Sequence, residues 1–224
     1  MDIRTGYRKP VVRNTLPMGI KRGIVGVALL VVLLLIAEWA MTGYLEGNKA
    51  LKEAAQNKVI AEHPLSYRGW IESYAAQNNL EPSFVAAIIM TESSYRRDAV
   101  SSADARGLMQ IKPDTGKWIA GKLSEEDVFT AERLFDPETN IRFGCWYLGY
   151  LAKLFGGDTV LVAAAYHSGQ TYVQNLMAKG VKTLEDIIDG STNNYARKVK
   201  TSYGIYERLY FAYDAEIGAA ASQY

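Results

Sequence analysis

A chain of 224 residues has room for one good-sized domain with appendages, and 49% hydrophobic with 22% charged residues is an ordinary globular composition. A net charge of +1 argues against a dedicated nucleic-acid binder. The single cysteine, Cys145, excludes an intrachain disulfide and a zinc site built on cysteine pairs; the two histidines, His63 and His167, have no metal-ligand spacing, and no metal or cofactor is expected.

The charge is unevenly placed. Arg4, Arg8, Lys9, Arg13, Lys21 and Arg22 precede an unbroken apolar run at 24–37, while the chain after residue 38 carries 19 basic and 22 acidic residues. Extended to 23–43, the run reaches the ~20 residues that a bilayer-crossing helix needs. Glu38, Trp39 and Tyr44 would lie near one interface, and the basic flank predicts a cytoplasmic N-terminus with the rest of the chain outside. A signal peptide with the apolar core as its h-region is the rival, disfavoured by bulky Trp39 and charged Glu38 where cleavage would occur. A buried core helix is a weaker third choice, because it gives the basic flank no role. The expected organisation is therefore a basic cytoplasmic tail at 1–22, a transmembrane anchor at 23–43, a polar stalk at 44–65, a helical domain at 66–213 and a flexible tail at 214–224.

Helix signals then follow in series, without convincing alternating strands. An amphipathic helix is predicted at 66–77. A second, at about 82–95, has Pro82 near its first turn. In it Val85, Ile88, Ile89 and Glu92 share a face by three- and four-residue spacing, which aims a carboxyl group at apolar surroundings. Such a group holds its proton near neutral pH, as a general acid for breaking glycosidic bonds must. The plainer reading is a helix-terminal glutamate hydrogen-bonded to the serines after it. The polar, glycine-containing loop at 96–112 adjoins Glu92 and suits a substrate cleft.

A third helix is predicted at 113–123, and Ser124 with Asp127 predicts a short capped fourth. Asp136 as N-cap with Pro137 after it opens a long helix, on which Ile141, Cys145, Leu148, Ala152 and Phe155 line one face. Cys145 thus reads as a small buried apolar side chain. Gly156 and Gly157 stop that helix, and Asp158 starts another that runs to Tyr166. Thr183 with Asp186 predicts a capped short piece. A final helix at 192–215 repeats Tyr195, Val199, Tyr203, Tyr206 and Tyr210 at helical spacing.

Taken in order, Glu92-Ser-Ser, Ala99-x-Ser101, Ala105-x-Gly-Leu-Met-Gln-Ile-x-Pro113-x-Thr115, Leu134-Phe-Asp-Pro-x-x-Asn140, Ala164-Ala-Tyr-x-x-Gly169 and Asn194-Tyr-x-x-x-Val199 resemble the soluble-lytic-transglycosylase catalytic domain of the lysozyme-like superfamily. Each motif is weak alone; their order and spacing together are specific. The resemblance implies a mainly α fold, a lysozyme-like helical domain, here preceded by one N-terminal transmembrane helix. It implies cleavage of peptidoglycan glycan strands between N-acetylmuramic acid and N-acetylglucosamine. One glutamate, matched by Glu92, would act as acid and then as base, closing a 1,6-anhydro ring without water. The substrate's own N-acetyl group would stand in for a second carboxylate.

The same resemblance implies substrate-binding roles for Ser101, for Gln110 in the cleft wall and Met109 beside it, for Tyr166 reaching toward the carboxyl, and for Tyr195 near the same carboxyl. Read without it, Ser101 is a turn former and the others are packing residues. The sequence departs from the family pattern at Asp104, where glycine is usual, at Lys112 for a usual methionine, and at His167-Ser168 for Asn-Ala. Asp98, in the loop after Glu92, is a competing second carboxylate that would make the enzyme a hydrolytic muramidase. A non-catalytic peptidoglycan-binding scaffold is the rival from another class. The leading expectation is an anchored wall-remodelling enzyme, held at the cell membrane on the extracytoplasmic side and working with an envelope or wall-remodelling complex.

Overall fold

In a computed structural model of the protein, the described residues are 18–180 and 190–212, with backbone alone for 18–28 and 31. The basic tail up to residue 17, the cap predicted at Thr183 and the tail predicted at 214–224 lie outside them. The chain divides into two compact units, Met1–Lys58 and Val59–Tyr224.

The described part of the first unit belongs to helix α1 (Met18–Glu62), which runs without a break through the predicted span and the predicted stalk. Its described apolar side chains, from Leu29 and Leu30 through Leu33, Leu35 and Trp39, are exposed. Among the described residues no single helix is long and apolar enough to cross a membrane. The predicted span at 23–43 includes positions 23–28 and 31, whose side chains are not in that set.

The second unit is built from short helices: α2 (Arg68–Gln77), α3 (Pro82–Ser93), α4 (Pro113–Lys122), α5 (Pro137–Leu154), α6 (Thr159–Ser168), α7 (Gln170–Ala178) and α8 (Gly190–Tyr206). Helix α3 is the centre. Ser83 to Ile89 are all buried, as expected of a helix apolar on every side. Helices α2 and α8 pack on it, and α6 packs on α8.

Capping chemistry sets most boundaries. The Asp136 carboxylate accepts from the Thr139 N–H at 2.9 Å to start α5, and Asp158 accepts from Val160 and Leu161 to start α6. Proline occupies the first turn of α3, α4 and α5. Gly156 and Gly157 follow α5 at φ +65° and +77°, the left-handed conformation that ends a helix. The Ser124 cap does not form. Ser124 itself sits at φ +59°, and Glu126–Val128 makes a single 3₁₀ turn without a side-chain cap. The chain at 170–178, for which no separate helix is predicted, forms α7 because Gly169 at φ +89° breaks α6 from it.

No β-strand occurs among the described residues; the loop between α3 and α4 contains only isolated bridges, Val100 with Arg106 and Arg106 with Ile111. At the other end of the unit, the Tyr206 hydroxyl donates to the Pro64 carbonyl at 2.9 Å and the Tyr210 hydroxyl to the His63 carbonyl at 2.8 Å. Cys145 is fully buried and burial raises its thiol pKa, so it is a packing residue.

Candidate active site

Glu92 lies in the last turn of α3, just before Ser94 turns left-handed at φ 50° and ends the helix. The hydroxyls of Ser93 and Ser94 do not satisfy its carboxyl. Ser93 donates to the Leu108 carbonyl at 2.7 Å and Ser94 turns back to the Met90 carbonyl. The partner comes from α8 instead: the Tyr195 hydroxyl donates to Glu92 Oε1 at 2.6 Å. Burial raises the Glu92 pKa from 4.5 to about 7, and the Tyr195 hydrogen bond only partly offsets this by favouring the ionised form. Near neutrality Glu92 is therefore both a competent acid and a competent base. Burial, and then the neighbouring carboxyl, keep the Tyr195 hydroxyl protonated well above its ordinary range. The His167 ring stacks on the Tyr195 ring, centroids 4.4 Å apart and planes 13° from parallel.

The carboxyl opens into a groove of about 510 Å³ whose wall includes Ser101, Gln110, Lys112, Tyr147, Tyr166 and His167. Glu92 is the only carboxylate lining it among the described residues; Asp98 is exposed and lies outside the lining. The Ser101 oxygen accepts from the N–H groups of Ala103 and Ala105, which leaves its hydroxyl hydrogen to donate. Gln110 sits at φ +49° with Nε2 donating to the carbonyls of Ala99 and Gly107, both at 3.0 Å. Two carbonyl partners fix which end of the amide is nitrogen, so Oε1 is the acceptor available in the groove.

The loop holding Gln110 hangs on a residue to which sequence reasoning gave no role. Asn140, fully buried at the start of α5, donates to the carbonyls of Arg106 and Leu134 and accepts from the Met109 N–H at 2.7 Å. Gly107, at φ +74°, lies so close that a Cβ there would collide with the Leu134 carbonyl and the Asn140 amide. Asp104 does take the left-handed conformation expected of a glycine position, at φ +57°, and both its oxygens accept from Arg106.

Two residues are placed differently from expectation. Met109 does not reach the groove; its side chain is fully buried against Gly144, and its carbonyl accepts from the Tyr166 hydroxyl at 2.7 Å. Tyr166 thus lines the groove while its hydroxyl donates to Met109 and not to the carboxyl. Tyr147, absent from the sequence reading, is part of the groove wall. Its signal was the aromatic trio Trp146, Tyr147 and Tyr150 crowded into five residues of α5.

Known proteins share the sequence pattern and the fold. The family model described as the transglycosylase SLT domain matches residues 69–187, more than half of the chain. The soluble lytic murein transglycosylase of Escherichia coli (strain K12) is 31% identical over 153 residues, 66% of this chain and 24% of the relative. The membrane-bound lytic murein transglycosylase C of Sodalis glossinidius (strain morsitans) is 32% identical over 132 residues, 55% of this chain and 37% of that one. The crystal structure of the 70 kDa soluble lytic transglycosylase from Escherichia coli superposes with a TM-score of 0.64 at 28% identity, over 67% of this chain and 25% of that one. The chain thus spans about a quarter of the length of these soluble relatives.

Proposed function

Because the chain belongs to the transglycosylase SLT domain family, we propose that it is a peptidoglycan lytic transglycosylase, cutting the bond between N-acetylmuramic acid and N-acetylglucosamine with Glu92 as sole acid and base. The observation that carries this reading is a carboxyl held by Tyr195, its pKa pushed up to about 7 by burial, standing as the one acid in the described wall of the groove around it. Protonated Glu92 gives its proton to the glycosidic oxygen as the C1–O bond breaks, and N-acetylglucosamine leaves as an alcohol. The muramoyl C6 hydroxyl then bonds C1 and returns a proton to Glu92. The product is a 1,6-anhydromuramoyl end, no water is consumed, and the residue is reset. Tyr195 holds the carboxyl in place through both protonation states. The Ser101 hydroxyl and Gln110 Oε1 offer a donor and an acceptor to the sugars.

The anchoring part of the proposal rests on the apolar run at 24–37, the basic residues before it and the apolar side chains that α1 exposes around its circumference. A helix of that kind belongs in a bilayer, with the SLT domain outside and near the wall, where an envelope or wall-remodelling complex would use it. The exposed position of Asp98 disfavours a hydrolytic route, for which a second carboxylate would have to hold a water in the groove.

The test is digestion of purified cell-wall glycan with mass analysis of the new ends. Anhydro ends, lighter by one water than hydrolysed ones, are expected; reducing ends alone would overturn the reading. Glu92→Gln should lower the rate by about a thousandfold while glycan binding is retained.

A further inference from the structure

Two side chains that depart from the family pattern, Lys112 and His167, line the groove. The His167 ring is engaged on two sides, stacked on Tyr195 at 4.4 Å and with Nε2 3.2 Å from Ser191 Oγ. Lys112 is different. It is exposed, and among the described residues its ammonium makes no hydrogen bond and no ion pair. The carboxylates close to it in sequence serve elsewhere. Both oxygens of Asp104 accept from Arg106, and Asp114 lines a neighbouring hollow and not this groove.

The helix that Lys112 introduces gains nothing from a lysine at this place. Lys112 is the N-cap of α4, at φ −72° and ψ 145°, and it forms no side-chain cap. An ammonium there meets the positive end of the helix dipole, where an acidic or hydroxyl side chain would stabilise. The chain after residue 38 carries 19 basic and 22 acidic residues, so the groove sets a cation against the overall charge of that part. An anionic group on the ligand would offset both disadvantages.

We propose that Lys112 reads the free lactyl carboxylate of an N-acetylmuramic acid residue, so that the groove selects peptide-free stretches of glycan over stretches that carry stem peptides. This rests on the reading of the groove as a glycan site. In a peptide-free muramoyl residue the lactyl ether on C3 ends in a carboxylate, and attaching a stem turns that carboxylate into a neutral amide. A lysine ammonium gives the first a charge-assisted hydrogen bond and finds no charge on the second. The methionine usual at this position would treat the two alike, so the selection belongs to this chain. Stem carboxylates are a second source of the same chemistry, but they sit on a flexible peptide that must first be ordered. The lactyl carboxylate is carried on the ring that the groove itself positions.

Binding is measured on the Glu92→Gln protein, which does not consume the ligand. Three tetrasaccharides of the same repeat are compared: one with free lactyl carboxylates, one with these converted to methylamides, and one bearing stem peptides. The free acid should bind about fivefold more tightly than the methylamide. Adding Lys112→Met should erase that preference by weakening the free acid alone, and Lys112→Arg should keep it. Equal weakening of acid and methylamide, or none, overturns the proposal, as does a loss confined to the stem-bearing ligand. Reducing ends alone from the wild-type protein would reject the transglycosylase reading and leave this comparison standing.

Discussion

The Tyr195 hydroxyl donates to Glu92 Oε1 at 2.6 Å across 103 residues of sequence, and so joins α8 to the acid on the central helix α3. The bond favours the carboxylate, opposing the larger effect of burial. Removing it with Tyr195→Phe should raise the Glu92 pKa above about 7, moving the alkaline limb of the pH–rate profile to higher pH. It should also lower the maximal rate about tenfold through loss of alignment. A profile whose alkaline limb stays in place or moves down contradicts this.

The same raised pKa has a consequence for stability. Between pH about 4.5, where an unfolded glutamate titrates, and about 7, the folded protein binds more protons at Glu92 than the unfolded chain does. The Glu92 contribution is therefore most favourable below the unfolded value, and stability declines as pH rises toward 7. Glu92→Gln removes that decline. Denaturant titrations at pH 4.5 and 8 should show the variant gaining on the wild type by up to about 3 kcal/mol at the higher pH. A parallel pH dependence in the two proteins would show that the carboxyl is not desolvated.

Tyr166→Phe separates structural from chemical roles in the two tyrosines nearest the acid. It strips the donor from the Met109 carbonyl without touching the hydrogen bond on Glu92. The expected cost is about 1.5 kcal/mol of stability, with the alkaline limb of the rate profile close to its wild-type position. A shift as large as that in Tyr195→Phe would mean that Tyr166 addresses the acid directly.

Asn140→Ala should be among the most damaging single changes away from the acid. It orphans the Arg106 and Leu134 carbonyls and the Met109 N–H in a site with no exposure. A loss of about 3 kcal/mol or more is expected in thermal or denaturant unfolding. Glycan affinity should weaken in the surviving folded protein, because Gln110 loses its support. Near-neutral unfolding would show that the loop holds its shape without this hub.

Much of the helical frame was legible because its boundaries carry local chemistry: Pro82, Pro113, Asp136 with Pro137, Asp158, and the glycine pair after α5. Where boundaries depend on a backbone angle they were not. Ser124 looks like a cap but is left-handed, and Gly169 separates two helices without any change in the polarity of its neighbours. At the site, the apolar setting of Glu92 could be read from three- and four-residue spacing. The nearness of Tyr195 came only from resemblance, since no local rule pairs residues that far apart. Asn140 and Tyr147 illustrate the other limit. A buried amide shows its importance through three partners distant in sequence, and an aromatic wall shows its role only once α4, α5 and α7 stand around it.

Tyr206 and Tyr210 grip the backbone at Pro64 and His63, so the strand of chain that leads into the domain is stitched to the segment that completes it. A pull on the chain upstream of His63 meets these two stitches before it meets the rest of the domain. In a domain tethered through that chain, as proposed above, the two tyrosines would stand as a strain relief between the tether and the helices around the acid.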